Sequence, residues 1–150
     1  MLDRKINHTI VKDISFSLLE EGISVKVRAD GYSMYPAIKP GSLIYIEPLA
    51  HDRWPCPGEI VAWKRDSGFV VHRLVKIIRN EDKTYFITRG DSCARDDQPV
   101  ETVAGRVVRI ENDNGTLMEC SMETRPNYNL NRAIVICTLI IKKIFSGKSK

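Results

Sequence analysis

Apolar and polar residues alternate in short runs along most of the chain, and the period lengthens only towards its two ends. From Ser24 to Arg28, Val25 and Val27 are set against Lys26 and Arg28, the period-two pattern of a strand. Leu43 to Ile46 and Ile60 to Lys64 are β-rich runs. Phe69 to Ile78 follows the second of them across Asp66-Ser67-Gly68, which predicts a hairpin. Asn80-Glu81-Asp82 turns the chain into Thr84 to Thr88, and Gly105 to Glu111, Asn112 to Gly115 and Thr116 to Met118 predict a last hairpin. Pro48 to Gly58, with prolines at 48, 55 and 57, reads as a loop. Closely spaced strands joined by turns, without βαβ alternation, predict a mainly β fold. The expectation is a single coiled, barrel-like antiparallel sheet with short helices at either end.

The longer period appears twice. Val11, Ile14 and Leu18 recur at helical spacing and stop at Gly22, predicting a short amphipathic helix. Leu130, Ile134, Cys137, Ile141 and Ile144 form a second stripe, with Lys142 and Lys143 beside it and Lys148 and Lys150 beyond. That stripe either docks on the domain or lies on a membrane surface. The most apolar stretch, Ala133 to Ile141, is about half of the roughly 20 residues needed to span a bilayer, and Met1 to His8 leads into no apolar core of a signal peptide. The expected organisation is a helical segment over 1–23, a β domain over 24–120 and a basic amphipathic helix over 121–150. The expected location is cytoplasmic or peripheral to a membrane.

Composition adds little to this picture. At 150 residues, 43% hydrophobic and 28% charged, the chain suits one globular domain with its own core. Its net charge of +4 is not gathered into a basic stripe with interleaved aromatics, so no nucleic-acid partner is expected. Cys56, Cys93, Cys120 and Cys137 lack the paired spacing of zinc sites and read as reduced thiols, with Cys93 a packing residue. No metal or cofactor is expected.

Chemistry enters through three segments in a fixed order: Gly31-Tyr32-Ser33-Met34-Tyr35-Pro36, then Val71-His72-Arg73, then Arg89-Gly90-Asp91 running on to Asp96-Asp97. A hydroxyl becomes a nucleophile at neutral pH only when a base takes its proton, and an imidazole held by a carboxylate is such a base. Strand alternation puts His72 on one face with Val70 and Leu74, which predicts a partly buried ring, and it leaves Arg73 on the other face to pair with a carboxylate. Asp91 and Asp97 compete to hold the imidazole, and their positions alone do not choose between them. Lys39, six residues after Ser33 in a Lys-Pro-Gly turn, is the rival base and is poorly placed for it.

These segments, within a likeness running from about Val25 to Ile110, resemble the signal peptidase I and SOS-repressor superfamily of serine peptidases. The His-Arg pair followed by Gly-Asp and a second Asp is similar to its histidine-type, endoplasmic-reticulum-like branch. The resemblance implies a serine endopeptidase with Ser33 as nucleophile, His72 as general base, Asp97 as the orienting acid and Asp91 as an acid that shapes the site. It implies an oxyanion donor in the backbone N–H of Ser33, with Gly31 where signal peptidases often carry a hydroxyl, and a peptide or protein substrate. The expected lack of a membrane anchor departs from the signal peptidases. Two other functions fit the same segments. One is a self-cleaving regulator, for which Ala104-Gly105 resembles a cut site but too few residues precede Ser33 for a DNA-binding domain. The other is a non-catalytic peptide-binding module.

Overall fold

Each predicted alternating run becomes a strand of one antiparallel sheet in the computed structural model, which describes residues 14–50, 53–65, 68–120, 122 and 125–146. Met1 to His8, Val11, the Asp66-Ser67 turn, Lys148 and Lys150 lie outside the described residues. The strands are β1 (Val25–Arg28), β2 (Leu43–Pro48), β3 (Ile60–Arg65), β4 (Gly68–Arg79), β5 (Thr84–Arg89), β6 (Gly105–Glu111) and β7 (Leu117–Glu119). Helix α1 covers 14–20 and helix α2 runs over Tyr128–Ser146. The sheet is ordered β1-β2-β6-β3-β4-β5, with β7 paired to the end of β6, and it does not close on itself.

The β3–β4 hairpin sets Val61 opposite His72 and Arg65 opposite Gly68. Strand β6 crosses between β2 and β3, where Gly105 pairs with both Pro48 and Ala62. A Cβ at Gly105 would lie 2.5 Å from the Glu47 carbonyl oxygen, so this crossing admits only glycine.

Alternation divides the core between the two faces. Val25, Val27, Ile44, Ile46, Ile60, Ala62, Val107 and Ile110 gather with Met34, Ile38 and Leu19 on one side, while Val61, Leu74 and Phe86 form a second cluster. Fully burying an aliphatic side chain of this size stabilises the fold by about 1.5–3 kcal/mol, so the larger cluster anchors the loop that carries Ser33 through Met34 and Ile38.

Helix α1 departs from the predicted face, and α2 excludes one of its two expected placements. In α1 the buried apolar residues are Phe16 and Leu19, Leu18 is partly buried and Ile14 is exposed. Phe16 meets Phe69 of β4 edge-on, and with Phe16 and Leu19 turned inward the helix keeps Leu18 against the core and leaves Ile14 outside. Gly22, at φ +83°, ends the segment as expected. In α2 only Asn131 and Val135 are buried, and the Leu130, Ile134, Cys137, Ile141 and Ile144 stripe is exposed, so it does not dock on the domain. Among the described residues no helix is long and apolar enough to cross a membrane.

Candidate active site

Ser33 sits in a tight turn just beyond the edge strand β1. Tyr35 N–H bonds the Tyr32 carbonyl, Ile38 N–H bonds the Met34 carbonyl, and Gly41 takes φ +93° where the chain reverses into β2. The Tyr35-Pro36 bond is cis. Ser92 holds this turn from across the site. Its N–H donates to the Ser33 carbonyl at 2.9 Å, and its hydroxyl reaches the carbonyl oxygens of Tyr32 at 2.7 Å and Ser33 at 3.2 Å.

His72 projects from the middle of β4 and is only 8% exposed. Its Nδ1 lies 2.6 Å from Oδ2 of Asp97, and that same oxygen accepts a 2.7 Å bond from the Thr88 hydroxyl. Burial acts to raise the Asp97 carboxyl, but the His72 and Thr88 hydrogen bonds, with the His72 and Arg65 charges, outweigh it and hold the group below the usual carboxylate range. An ionised carboxylate only accepts, so Nδ1 carries a proton, and whenever the ring is uncharged the lone pair stands at Nε2. The backbone fixes this carboxylate too, since Asp97 N–H bonds the Thr88 carbonyl at 2.8 Å.

Gly90 is the hinge between the two halves. A Cβ there would lie 2.7 Å from the Ser33 carbonyl oxygen, 3.1 Å from His72 Nε2 and 2.6 Å from Cys93 Sγ. The Ser33 turn and the free imidazole nitrogen therefore close on the same glycine, and no side chain fits between them. Ser33, His72, Asp97, Gly31 and Cys93 all line one cleft of about 790 Å³. Its remaining walls are largely apolar, including Val27, Ala29, Phe69 and Val71, with Arg28, Asp30 and Arg65 as the charged lining. No lysine lines it among the described residues, and Lys39 is exposed elsewhere.

Asp91 has a different neighbour. Its carboxylate accepts Nε of Arg73 at 2.8 Å and Nη2 at 2.7 Å, and Arg73 Nη1 donates to the Gly58 carbonyl at 2.7 Å. Arg73 and Asp91 are 2% and 1% exposed, so this two-pronged pair is locked beneath the site and makes no contact with the imidazole among those described. It ties β4 to the loop after β5, and Asn131 of α2 donates to the Asp91 carbonyl at 3.1 Å. Asp96 is exposed, 3.7 Å from Arg89.

The structure thus gathers Ser33, His72, Asp97 and Gly31 around one cleft and sets Asp91 behind it. Thr88 and Ser92 carry no motif in the sequence, and the steric role of Gly90 is not legible there. Thr88 is an ordinary strand residue by pattern, and Ser92 carried no signal beyond its place next to Asp91. Gly90 was visible only as part of the Gly-Asp motif. Cys93 lies in the cleft with a thiol pushed up mainly by burial and also by the Asp97 charge, so it is held protonated rather than as a thiolate. All four cysteines are free. Ala104-Gly105 lies far from a cuttable conformation: Ala104 N–H bonds the Ala62 carbonyl, its own carbonyl accepts Leu49 N–H, and Gly105 is buried where β2, β6 and β3 meet.

No protein-family model matches the chain and no curated protein matches it, so the meaning of the site rests on its geometry.

Proposed function

We propose that the chain is a serine endopeptidase of the signal-peptidase-like type. The observation that carries this reading is the 2.6 Å His72–Asp97 contact on one side of the imidazole, with the other ring nitrogen against the glycine that also touches the Ser33 turn. Ser33 Oγ attacks the substrate carbonyl carbon as its proton passes to His72 Nε2, and Asp97 steadies the resulting imidazolium. The tetrahedral intermediate collapses when His72 returns that proton to the leaving amine, leaving an ester on Ser33. Water, deprotonated by the same imidazole, then hydrolyses the ester. The backbone N–H of Ser33 is the oxyanion donor, and Gly31, with no side-chain hydroxyl, supplies none.

The substrate is a peptide or protein segment in extended form. β1 is an edge strand, and its continuation from Arg28 to Gly31 lines the cleft up to Ser33, so a peptide laid beside it delivers its carbonyl to the nucleophile and its apolar side chains to the cleft floor. The hydrogen bonds that hold Ala104-Gly105 within the sheet weigh against self-cleavage there. No metal or cofactor enters this chemistry. Mass-spectrometric profiling of a diverse peptide mixture, with the unaltered chain and with Ser33→Ala, tests the proposal. Cuts that vanish in Ser33→Ala are expected. Equal cutting by both would overturn it, and peptide binding without cutting by the unaltered chain would identify a binding module.

A further inference from the structure

Helix α2 meets the domain along one stripe. The Arg89 guanidinium lies 3.7 Å from the Tyr128 ring centre, Asn131 bonds the Asp91 carbonyl, Val135 is buried, and the Lys142 ammonium donates to the Tyr32 hydroxyl. These residues recur three, four and seven positions apart, so they share one side of the helix. The opposite arc is apolar and faces away from the protein. Leu130, Ile134, Ile140, Ile141, Ile144 and Phe145 are all exposed, Phe145 by 70%. Surface helices ordinarily turn their apolar side to the core, so this one is inverted, and an exposed apolar patch of such extent marks an interaction surface.

Charge selects the occupant. Every charged residue from Arg125 to Ser146 is basic, namely Arg125, Arg132, Lys142 and Lys143, and Lys148 and Lys150 follow in the sequence. An apolar arc bordered only by cations complements an anionic lipid surface, where isoleucines enter the acyl boundary and ammonium and guanidinium groups meet phosphates. We infer that α2 is a membrane-surface helix that lies along an anionic bilayer, with the domain seated on its opposite side. Its 19 residues span about 28 Å, long enough to seat several turns at the interface. Through Lys142 and Tyr32 the helix also touches the residue preceding Ser33, so binding sets the cleft at the bilayer surface.

Flotation of the full chain with vesicles tests this directly, using phosphatidylcholine alone and an equal mixture with phosphatidylglycerol. The chain is expected to float with the mixed vesicles, to be released by high salt, and to bind phosphatidylcholine at least tenfold more weakly. Ile140→Glu combined with Ile144→Glu alters only outward positions. It should cut binding to the mixed vesicles more than tenfold while circular dichroism and melting stay unchanged. Arg132→Gln with Lys143→Gln should weaken binding to the mixed vesicles several-fold and leave phosphatidylcholine binding as it was. The inference fails if the unaltered chain floats with neither vesicle, or if the double glutamate variant floats equally well. It also fails if sedimentation equilibrium finds a dimer that this variant disperses without any lipid binding, which would assign the arc to a second copy.

Discussion

Replacing the two aspartates one at a time separates stability from chemistry. In Asp91→Asn the Arg73 guanidinium, 2% exposed, keeps its Gly58 bond but loses the carboxylate that meets both Nε and Nη2. A neutral amide accepts at only one of its two ends, so the buried cation loses the charge it meets at two of its nitrogens. Breaking such a pair costs about 3–5 kcal/mol, and at about 2–4 °C per kcal/mol in a chain of this size the melting temperature falls on the order of 10 °C. Asp97→Asn is milder for the fold, because the position is partly exposed and the Arg65 pair at 3.4 Å contributes at most about 1 kcal/mol. Its effect is on the tautomer: an amide turned to donate to Nδ1 moves the imidazole proton to Nε2 and removes the base from the Ser33 side. The same change in a Ser-His-Asp triad lowers kcat by about 10⁴. Thermal denaturation and steady-state cleavage of both variants, assayed below the melting point of each, give the two readouts. An Asp91→Asn protein that melts normally yet is inactive, beside an active Asp97→Asn, would refute this division.

Other expected outcomes follow from the same geometry. Gly90→Ala forces a methyl group against the Ser33 carbonyl and His72 Nε2. A loss of about 1–3 kcal/mol in urea denaturation and of about 10² in activity is expected, and Cys93→Ala added to it should recover part of the stability but not the activity. Because Asp97 is held below the usual carboxylate range, its contribution to stability is fully present above that range and is lost as the pH falls through the depressed folded value. The stability of the unaltered chain over Asp97→Asn should therefore shrink in acid-titrated melting curves as the pH falls below the usual carboxylate range. Iodoacetamide at mildly alkaline pH should label the exposed Cys56 and Cys137 well before Cys93 and Cys120, whose thiols are pushed up chiefly by burial; equal rates at all four would contradict that burial.

The strands were legible because each has one buried face: Val25 and Val27 against Lys26 and Arg28 is a local pattern, and so are the turns that join β3 to β4 and β4 to β5. The insertion of β6 between β2 and β3 was not legible, since pairing between Gly105 and both Pro48 and Ala62 leaves no local period. Both helices were found, but not the face that α1 buries nor what lies over the stripe of α2. A hydrophobic stripe states which side avoids water and not what covers it, and contacts made by Phe16 and Asn131 set the orientation instead. Within the site, Ser33, His72 and both aspartates stood out in sequence, whereas the choice between Asp91 and Asp97 needed the third dimension. Arg73, adjacent to His72 but on the other strand face, is what draws Asp91 away. Thr88 and Ser92 act through hydrogen bonds to residues distant in sequence and had no motif to reveal them.

In the proposed mechanism Ser33 is the nucleophile that His72 activates. The direct measurement is the intact mass of the protein, acid-quenched during turnover of a p-nitrophenyl ester of a short apolar acyl-peptide, with the added mass mapped by digestion. One acyl group is expected on Ser33, absent from Ser33→Ala and strongly reduced in His72→Gln. Acylation at Cys93, or ester turnover undiminished in Ser33→Ala, would contradict it.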